Sequence, residues 1–380
     1  MKSSLGQYFT KDLTLKNKVF EFIKNNPALI LEPSIGRGDL VTHVSDKIEK
    51  VKFDMFEIDN SITLLEKINK TKVIYGDFLK QNISRKYKTI IGNPPYVRTS
   101  KGNLYIDFTE KCFNLLEDNG ELIFIVPSDF FKLTASVALL EKMMHVGTFT
   151  HIYHPNDEHL FKEASIDVIV YRYSKNTGLG NITYYNGEKK YINNNNGLIT
   201  FHDNVVENNK SFKDYFTAHV GMVTGAEKIF KNNEYGNFEL LNSNQQKENY
   251  IYLDKFPTEN PSLNKYMESH KKHLISRKIK KFNETNWFQW GAIRNLSITK
   301  NNLGKDCIYI QTLTRKEIVA FKSKVTYFGG GLIMLLPHQK IDLDLVVNYL
   351  NSEKFKKNFI YSGRFKIGQR QIINATIYCK

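Results

Sequence analysis

The chain has 380 residues, 41% of them apolar, enough for a packed core in each of two domains; 54 Lys and Arg against 39 Asp and Glu leave a net charge of +15. Its three cysteines, Cys112, Cys307 and Cys379, are too scattered for a metal-ligand spacing or a disulfide framework, which suits a reducing compartment. MKSSLGQYFT has no signal-peptide core and no later run approaches ~18 apolar residues, so the expectation is a soluble cytoplasmic protein without a membrane span.

The charge is uneven. Residues 1–175 hold 24 basic and 22 acidic residues, a net of +2, whereas 176–380 hold 30 and 17, a net of +13. Excess lysine for solubility is the plainer explanation. A surface for a polyanion in the second half is the functional one.

In chain order, LKNKVFEFIKN (15–25) has helical spacing. ALILEPSIGRGDL (28–40) reads as strand, glycine turn and helix. VKFDMFEID (51–59), KVIYGDF (72–78) and YKTIIGNPPY (87–96) each read as a short strand followed by polar residues. A helix is expected over 104–118, stopped by Asn119-Gly120, then strands in ELIFIVPSDFF (121–131) and SIDVIVYRYSK (165–175). Strands alternating with helices predict an α/β fold with a doubly wound, mostly parallel sheet, and ligands at its carboxyl edge. An Asn-Gly hairpin at 186–187 and a polar linker end this part. The expected domains are 1–200 and 201–380, the second basic and α+β. No internal repeat is found.

The chemically suggestive residues lie just after the strands. Gly36 and Gly38 permit a tight turn close to a ligand. Glu57, 25 residues after Glu32, is placed to bind ribose hydroxyls, or is an ordinary strand-end acid. Asp77 can accept from an adenine amine with Phe78 beside the ring, or can simply cap the next helix. There is no phosphate-cradling G-x-x-x-x-G-K-[ST] and no three-glycine dinucleotide spacing. Adenosine with little phosphate describes S-adenosylmethionine. Asn93-Pro94-Pro95-Tyr96 then offers a carboxamide oxygen, a carbonyl and an aromatic face, which together suit a planar group bearing an –NH₂. Two acceptors localise the nitrogen lone pair and stabilise the charge that develops on alkylation.

Seven segments in this order resemble the DNA adenine-N6 methyltransferases of restriction–modification systems, in the gamma-like motif order with a C-terminal target recognition domain. They are GQYFT (6–10), LEPSIGRG (31–38), Glu57, Asp77-Phe78, NPPY (93–96), the stretch 104–131, and HLFKEASIDVIVYRY (159–173). The resemblance implies cofactor contacts from Gln7, Tyr8 and Thr10, from Glu32, Pro33 and Ser34 with Gly36 and Gly38, from Glu57-Ile58 and Asp77-Phe78, and from Asn93 and Phe108. It implies catalysis by Asn93, Pro94 and Tyr96, with a flipped adenine between Tyr96 and Phe161. No metal is needed, and His151, His154 and His159 do not have a ligand spacing.

Beyond residue 200 the likeness is weaker, in HVGMVTGAEKIF (219–230) and YFGGGLIMLLP (327–337). Arg277, Lys278, Lys280 and Lys281 form the densest basic cluster, expected to meet phosphates. Trp287, Phe288 and Trp290 read as core. Arg315, with Thr312, Thr314 and Lys316, and Arg364, Lys366 and Arg370, with Gln369, are candidate base readers. The expected partner is double-stranded DNA, with a cognate endonuclease acting separately and the chain a monomer.

Rival readings share the corner. RNA adenine-N6 and protein glutamine-N5 methyltransferases also use it, the latter usually behind a small leading domain. Cytosine-N4 enzymes usually begin it with Ser. A catalytically inactive DNA-binding module is argued against by intact Asn93, Tyr96, Glu57 and Asp77.

Overall fold

The apolar run Leu29–Glu32 forms β1, with Ile30 and Leu31 wholly buried. A strand apolar on both faces belongs in the middle of a parallel sheet. β1 pairs in parallel with β2 (Lys52–Glu57) and with β4 (Tyr87–Gly92). Beyond β2 lies β3 (Val73–Tyr75), also parallel. Beyond β4 lies a long strand, Leu116–Pro127, reached through the small antiparallel pair β5 (Arg98–Thr99) and β6 (Gly102–Asn103). That long strand is β7. The structure is a computed structural model, and it describes residues 8–99, 102–161, 165–206 and 210–378.

Alternation along the strands feeds two cores. Ile30, Ile91, Ile123 and Ile125 face α1 (Leu13–Phe22) and α2 (Asp39–Ser45). Leu31, Ile90, Leu122 and Phe124 face α3 (Leu104–Asn114) and α4 (Val137–Val146). Helices on both faces make the sheet doubly wound, as the sequence implies. Past β7 the direction changes. β9 (Val168–Ser174) is antiparallel to β7 and to β8 (Thr148–Tyr153). β10 (Ile182–Tyr185) is parallel to β8, and β11 (Glu188–Asn195) and β12 (Leu198–His202) complete a ten-stranded sheet.

Three expectations need correction. The helix after residue 104 ends at Asn114, because Leu116 already pairs with Tyr87 in the sheet. The Asn-rich linker is a strand. Asn186-Gly187 and Asn196-Gly197 both take positive φ, so two successive two-residue turns keep the chain in the sheet. For the same reason a boundary between 200 and 201 would cut β12. The chain divides instead into Met1–Asn209 with Tyr361–Gly363, and Lys210–Ile360 with Arg364–Lys380.

The second unit contains an antiparallel sheet of Phe216–Val220, Leu332–Pro337, Asp306–Gln311 and Ala320–Lys324. Its other core encloses Trp287 and Trp290 with Phe230, Tyr250 and Leu274. The segments 219–230 and 327–337 run backbone against backbone here. A Cβ at Gly221 would collide with the Gly329 carbonyl, so this close approach requires glycine.

One buried charge ties the first unit together. The Glu121 carboxylate, on β7, accepts from Arg172 Nε at 2.8 Å, Thr89 Oγ1 at 2.9 Å and the Lys24 and Asn25 amides at 3.0–3.1 Å. It therefore joins three strands, β4, β7 and β9, to the chain just after α1. Glu121→Ala would leave the Arg172 guanidinium buried without its partner. The expected loss is about 3–5 kcal/mol of stability, read from urea unfolding; a change below about 1 kcal/mol would contradict this role.

Candidate active site

Parallel β1, β2, β3 and β4 end on one edge, so the residues just beyond them converge. At Gly36 the chain takes φ +57°, and its N–H donates to Glu57 Oε2 at 2.8 Å. The other Glu57 oxygen accepts from Asp59 N–H at 3.0 Å. The strand-end acid thus fixes the glycine turn and its own strand exit together. Asp77 caps the short helix Phe78–Lys80 through Leu79 N–H at 3.0 Å, with Lys80 Nζ at 3.4 Å from its second oxygen.

These groups line a cleft together with Tyr8, Pro33, Ser34, Ile58, Phe78, Asn93 and Phe108. The sequence singled out all of those. It missed Phe9, Gly76, Leu79, Pro95, Val97 and Leu104, which also line the cleft. Among the described residues the lining has two carboxylates and no lysine or arginine. Such a wall suits an apolar, cationic ligand and is poorly matched to phosphate.

Lys111 is a further omission. Its Nζ donates to the carbonyls of Phe78 at 2.5 Å, Leu79 at 3.1 Å and Gln81 at 2.6 Å, and so holds the turn that carries Asp77. Leu104, Phe108 and Lys111 stand at i, i+4 and i+7 on one helix face, the first two lining the cleft and the third reaching the 78–81 turn, and this spacing from Phe108 is the pattern that could have found Leu104 and Lys111.

Other expected contacts sit elsewhere. Gln7 lies outside the described residues. A Cβ at Gly38, where φ is +95°, would strike Ile68, so this glycine serves packing at the start of α2. Glu32 is 1% exposed and accepts from Ser34 N–H at 3.1 Å. Burial raises its carboxyl to about 8, with the Glu57 charge adding to the shift. Thr10 directs its hydroxyl to Asn93.

Asn93 stands where the cleft meets a group of three rings. Its Nδ2 donates to the Tyr8 carbonyl at 2.8 Å and Thr10 Oγ1 at 3.0 Å. Its Oδ1 faces the Tyr96 hydroxyl at 2.5 Å, and that hydroxyl also lies 3.1 Å from the Ile125 carbonyl. Burial and the adjacent Tyr8 keep the Tyr96 phenol well above its ordinary pKa, so it remains a donor. Tyr96 and Phe161 meet edge-on, centroids 6.2 Å apart at 80°. Tyr8 stacks on Tyr96 at 5.4 Å and 27°. A planar ring can enter between Tyr96 and Phe161 only after one of these rings turns.

In the second unit, Arg277 is not a phosphate contact. It is 8% exposed, and its guanidinium donates to the carbonyls of Leu274, Thr224, Trp287 and Gln289. Four carbonyls around one planar cation make it a brace of the loop, while Lys278, Lys280 and Lys281 beside it are exposed. The other two candidate segments come together, because Leu313-Thr314 pairs with Phe365-Lys366. Arg315 and Lys366 are exposed there; Arg364 and Arg370 are half-buried. His154 lies between Tyr185 OH at 2.9 Å and Asp167 at 2.9 Å, and His151 beside Thr150 Oγ1 at 3.0 Å. No helix among the described residues is long and apolar enough to cross a membrane.

Residues 10–161 match the Eco57I restriction-modification methylase family. The Type II methyltransferase M.HincII of Haemophilus influenzae is 30% identical over 211 residues, 50% of this chain and 41% of its own length. Modification methylase CviBIII of Paramecium bursaria Chlorella virus NC1A is 34% identical over 148 residues, 33% of this chain and 39% of its own. Ribosomal RNA small subunit methyltransferase A of Mesomycoplasma hyopneumoniae (strain 232) is 42% identical over 106 residues, 26% and 40%. The chain thus spans about two fifths of the length of these relatives. The Type IIL restriction-modification enzyme MmeI, solved in complex with DNA, shares the fold over 94% of this chain and 63% of its own, with a TM-score of 0.59 at 12% identity. In sequence the first unit is similar to restriction–modification methyltransferases.

Buried Glu32 carries a pH signature of its own. Its folded-state pKa of about 8 lies above the ordinary value of 4.5, so the folded state keeps a proton that the unfolded chain releases. Stability attributable to this proton is full below about 4.5 and is lost as pH rises to about 8. Glu32→Gln cannot ionise. Its melting temperature relative to wild type should therefore rise steadily from pH 5 to pH 8; a gap independent of pH would contradict the assignment.

Proposed function

We propose that this chain moves a methyl group from S-adenosylmethionine to the N6 amine of an adenine displaced from duplex DNA, as the modification activity of a restriction–modification system. One observation carries the reading. Asn93 belongs at once to the wall of an acidic, phosphate-averse cleft and to a hydrogen-bonded aromatic corner. A group that could hold a substrate amine is therefore shared with a cavity that could hold the methyl donor.

The cleft fits that donor by its chemistry. Glu57 offers a carboxylate to ribose hydroxyls, Asp77 one to an adenine amine, and Phe9, Ile58 and Phe108 give apolar walls. When bound, S-adenosylmethionine supplies a methyl group on a sulfonium cation. The chain supplies position. Asn93 Oδ1 and the Pro94 carbonyl accept hydrogen bonds from the two N–H groups of the substrate amine and localise its lone pair. The Tyr96 face stacks on the base, and alignment supplies much of the acceleration. Pro95 has no N–H and a fixed φ, which keeps the corner stiff.

Asn at position 93 favours adenine over cytosine. The excess of basic residues beyond 175 favours a polyanion, with exposed Lys278, Lys280 and Lys281 as phosphate contacts and Arg315, Arg364, Lys366 and Arg370 as candidate readers of bases. The similarity to a ribosomal RNA methyltransferase, over 26% of the chain, makes RNA the second reading.

Labelled cofactor incubated with unmethylated DNA, RNA or protein, then nucleoside analysis, decides among these. N6-methyladenine in DNA supports the proposal. N4-methylcytosine would replace the base, and label in RNA or protein alone would overturn the DNA reading. Bound cofactor with no transfer would indicate a binding module. Asn93→Ala should lower transfer at least about 100-fold while cofactor still binds, as loss of an electrostatic acceptor predicts; wild-type rates would refute the amine site. Asp77→Ala should raise the cofactor Kd about tenfold, the size of one lost charge-assisted hydrogen bond. An unchanged Kd would remove Asp77 from the cofactor site.

A further inference from the structure

An asparagine side chain has two ends of nearly equal shape and opposite function. With Oδ1 toward the substrate, the corner accepts an amine; with Nδ2 there, it repels one. Something must choose between the two, and the choice is visible in residues 8–10. Nδ2 has two protons and two acceptors, the Tyr8 carbonyl at 2.8 Å and Thr10 Oγ1 at 3.0 Å. A reversed amide would press Oδ1 against the Tyr8 carbonyl, acceptor against acceptor. The site is dry enough for this to matter, since Thr10 is 4% exposed.

We propose that Thr10 is a positioning residue, which with the Tyr8 carbonyl locks the Asn93 carboxamide so that Oδ1 is the end presented to the substrate amine. The proposal rests on the methyl-transfer reading and deepens it. The same three-residue segment also stacks Tyr8 on Tyr96 and lines the cleft with Phe9. One short stretch therefore sets both the acceptor and the stacking ring, and it borders the cavity of the methyl donor. Thr10 acts through Asn93 in this account and needs no contact with the cofactor.

The test uses the full chain with Thr10→Val, which keeps the shape and removes the acceptor, and Thr10→Ser, which restores it. Transfer from labelled S-adenosylmethionine to unmethylated phage DNA is measured at saturating cofactor, and the cofactor Kd separately by calorimetry. The expected result for Thr10→Val is a kcat about tenfold lower with a Kd within about twofold of wild type, the effect of one lost hydrogen bond expressed in the transition state. Thr10→Ser should recover kcat to within about twofold. A wild-type kcat in Thr10→Val overturns the proposal. So does a raised Kd with unchanged kcat, which would make Thr10 a cofactor contact. A second readout does not depend on transfer. In protein labelled with ¹⁵N-asparagine, the Asn93 side-chain amide, identified by its loss in Asn93→Ala, should be protected from hydrogen exchange in wild type and exchange about tenfold faster in Thr10→Val. Equal exchange overturns the lock even if wild type methylates nothing, and a wild type without transfer but with this difference would indict the function reading alone.

Discussion

The site depends on the shared direction of four strands. Because β1, β2, β3 and β4 run parallel, Gly36, Glu57, Asp77 and Asn93 emerge on one edge although 57 residues separate the first from the last. An antiparallel neighbour would send its loop to the far side. That is the arrangement beyond β7, where β9 reverses and the order of chemically useful ends breaks off. Position along the sheet, more than any single residue, therefore sets which groups can share a ligand. The hydrogen bond from Gly36 to Glu57 shows the economy of this arrangement, since one carboxylate both shapes the turn and faces the cleft.

Much of this edge was readable from the chain itself. Buried parallel strands announce themselves as short apolar runs, and the residues just past the end of each run are exposed to a ligand by geometry. The glycine turn, Glu57, Asp77-Phe78 and Asn93 are therefore placed together by the sequence alone. The unreadable part depends on partners distant in sequence. Lys111 looks like an ordinary surface lysine until three carbonyls of the 78–81 turn surround it. Arg277 looks like part of a basic patch until four carbonyls take up its guanidinium. Gly38 looks like a ligand glycine until Ile68 is found against it. Local pattern cannot separate a cation that waits for phosphate from one already bound by backbone.

The two kinds of asparagine-rich sequence make a related point. Asn-Gly at 186–187 reads as a hairpin, but the run 193–197 reads as a linker because polar residues usually end structure. Here the run is an edge region of the sheet, paired to Leu198–His202, whose residues are all buried. The apolar partner carries the burial and the asparagines need only pair their backbones. Composition thus misjudged the extent of the first unit.

The Tyr96 hydroxyl has one proton and two carbonyl-type acceptors within reach, Asn93 Oδ1 and the Ile125 carbonyl. In the proposed reaction an arriving amine displaces it from the first, and the second receives it. No hydrogen bond is stranded on either side of this exchange, so ground-state affinity gains little from the amine. The gain comes later, as positive charge grows on the nitrogen and the bond to Asn93 becomes charge-assisted. In that proposed reaction the resident phenol would thereby work as a counterweight, diverting the strength of the acceptor from holding the substrate to turning it over.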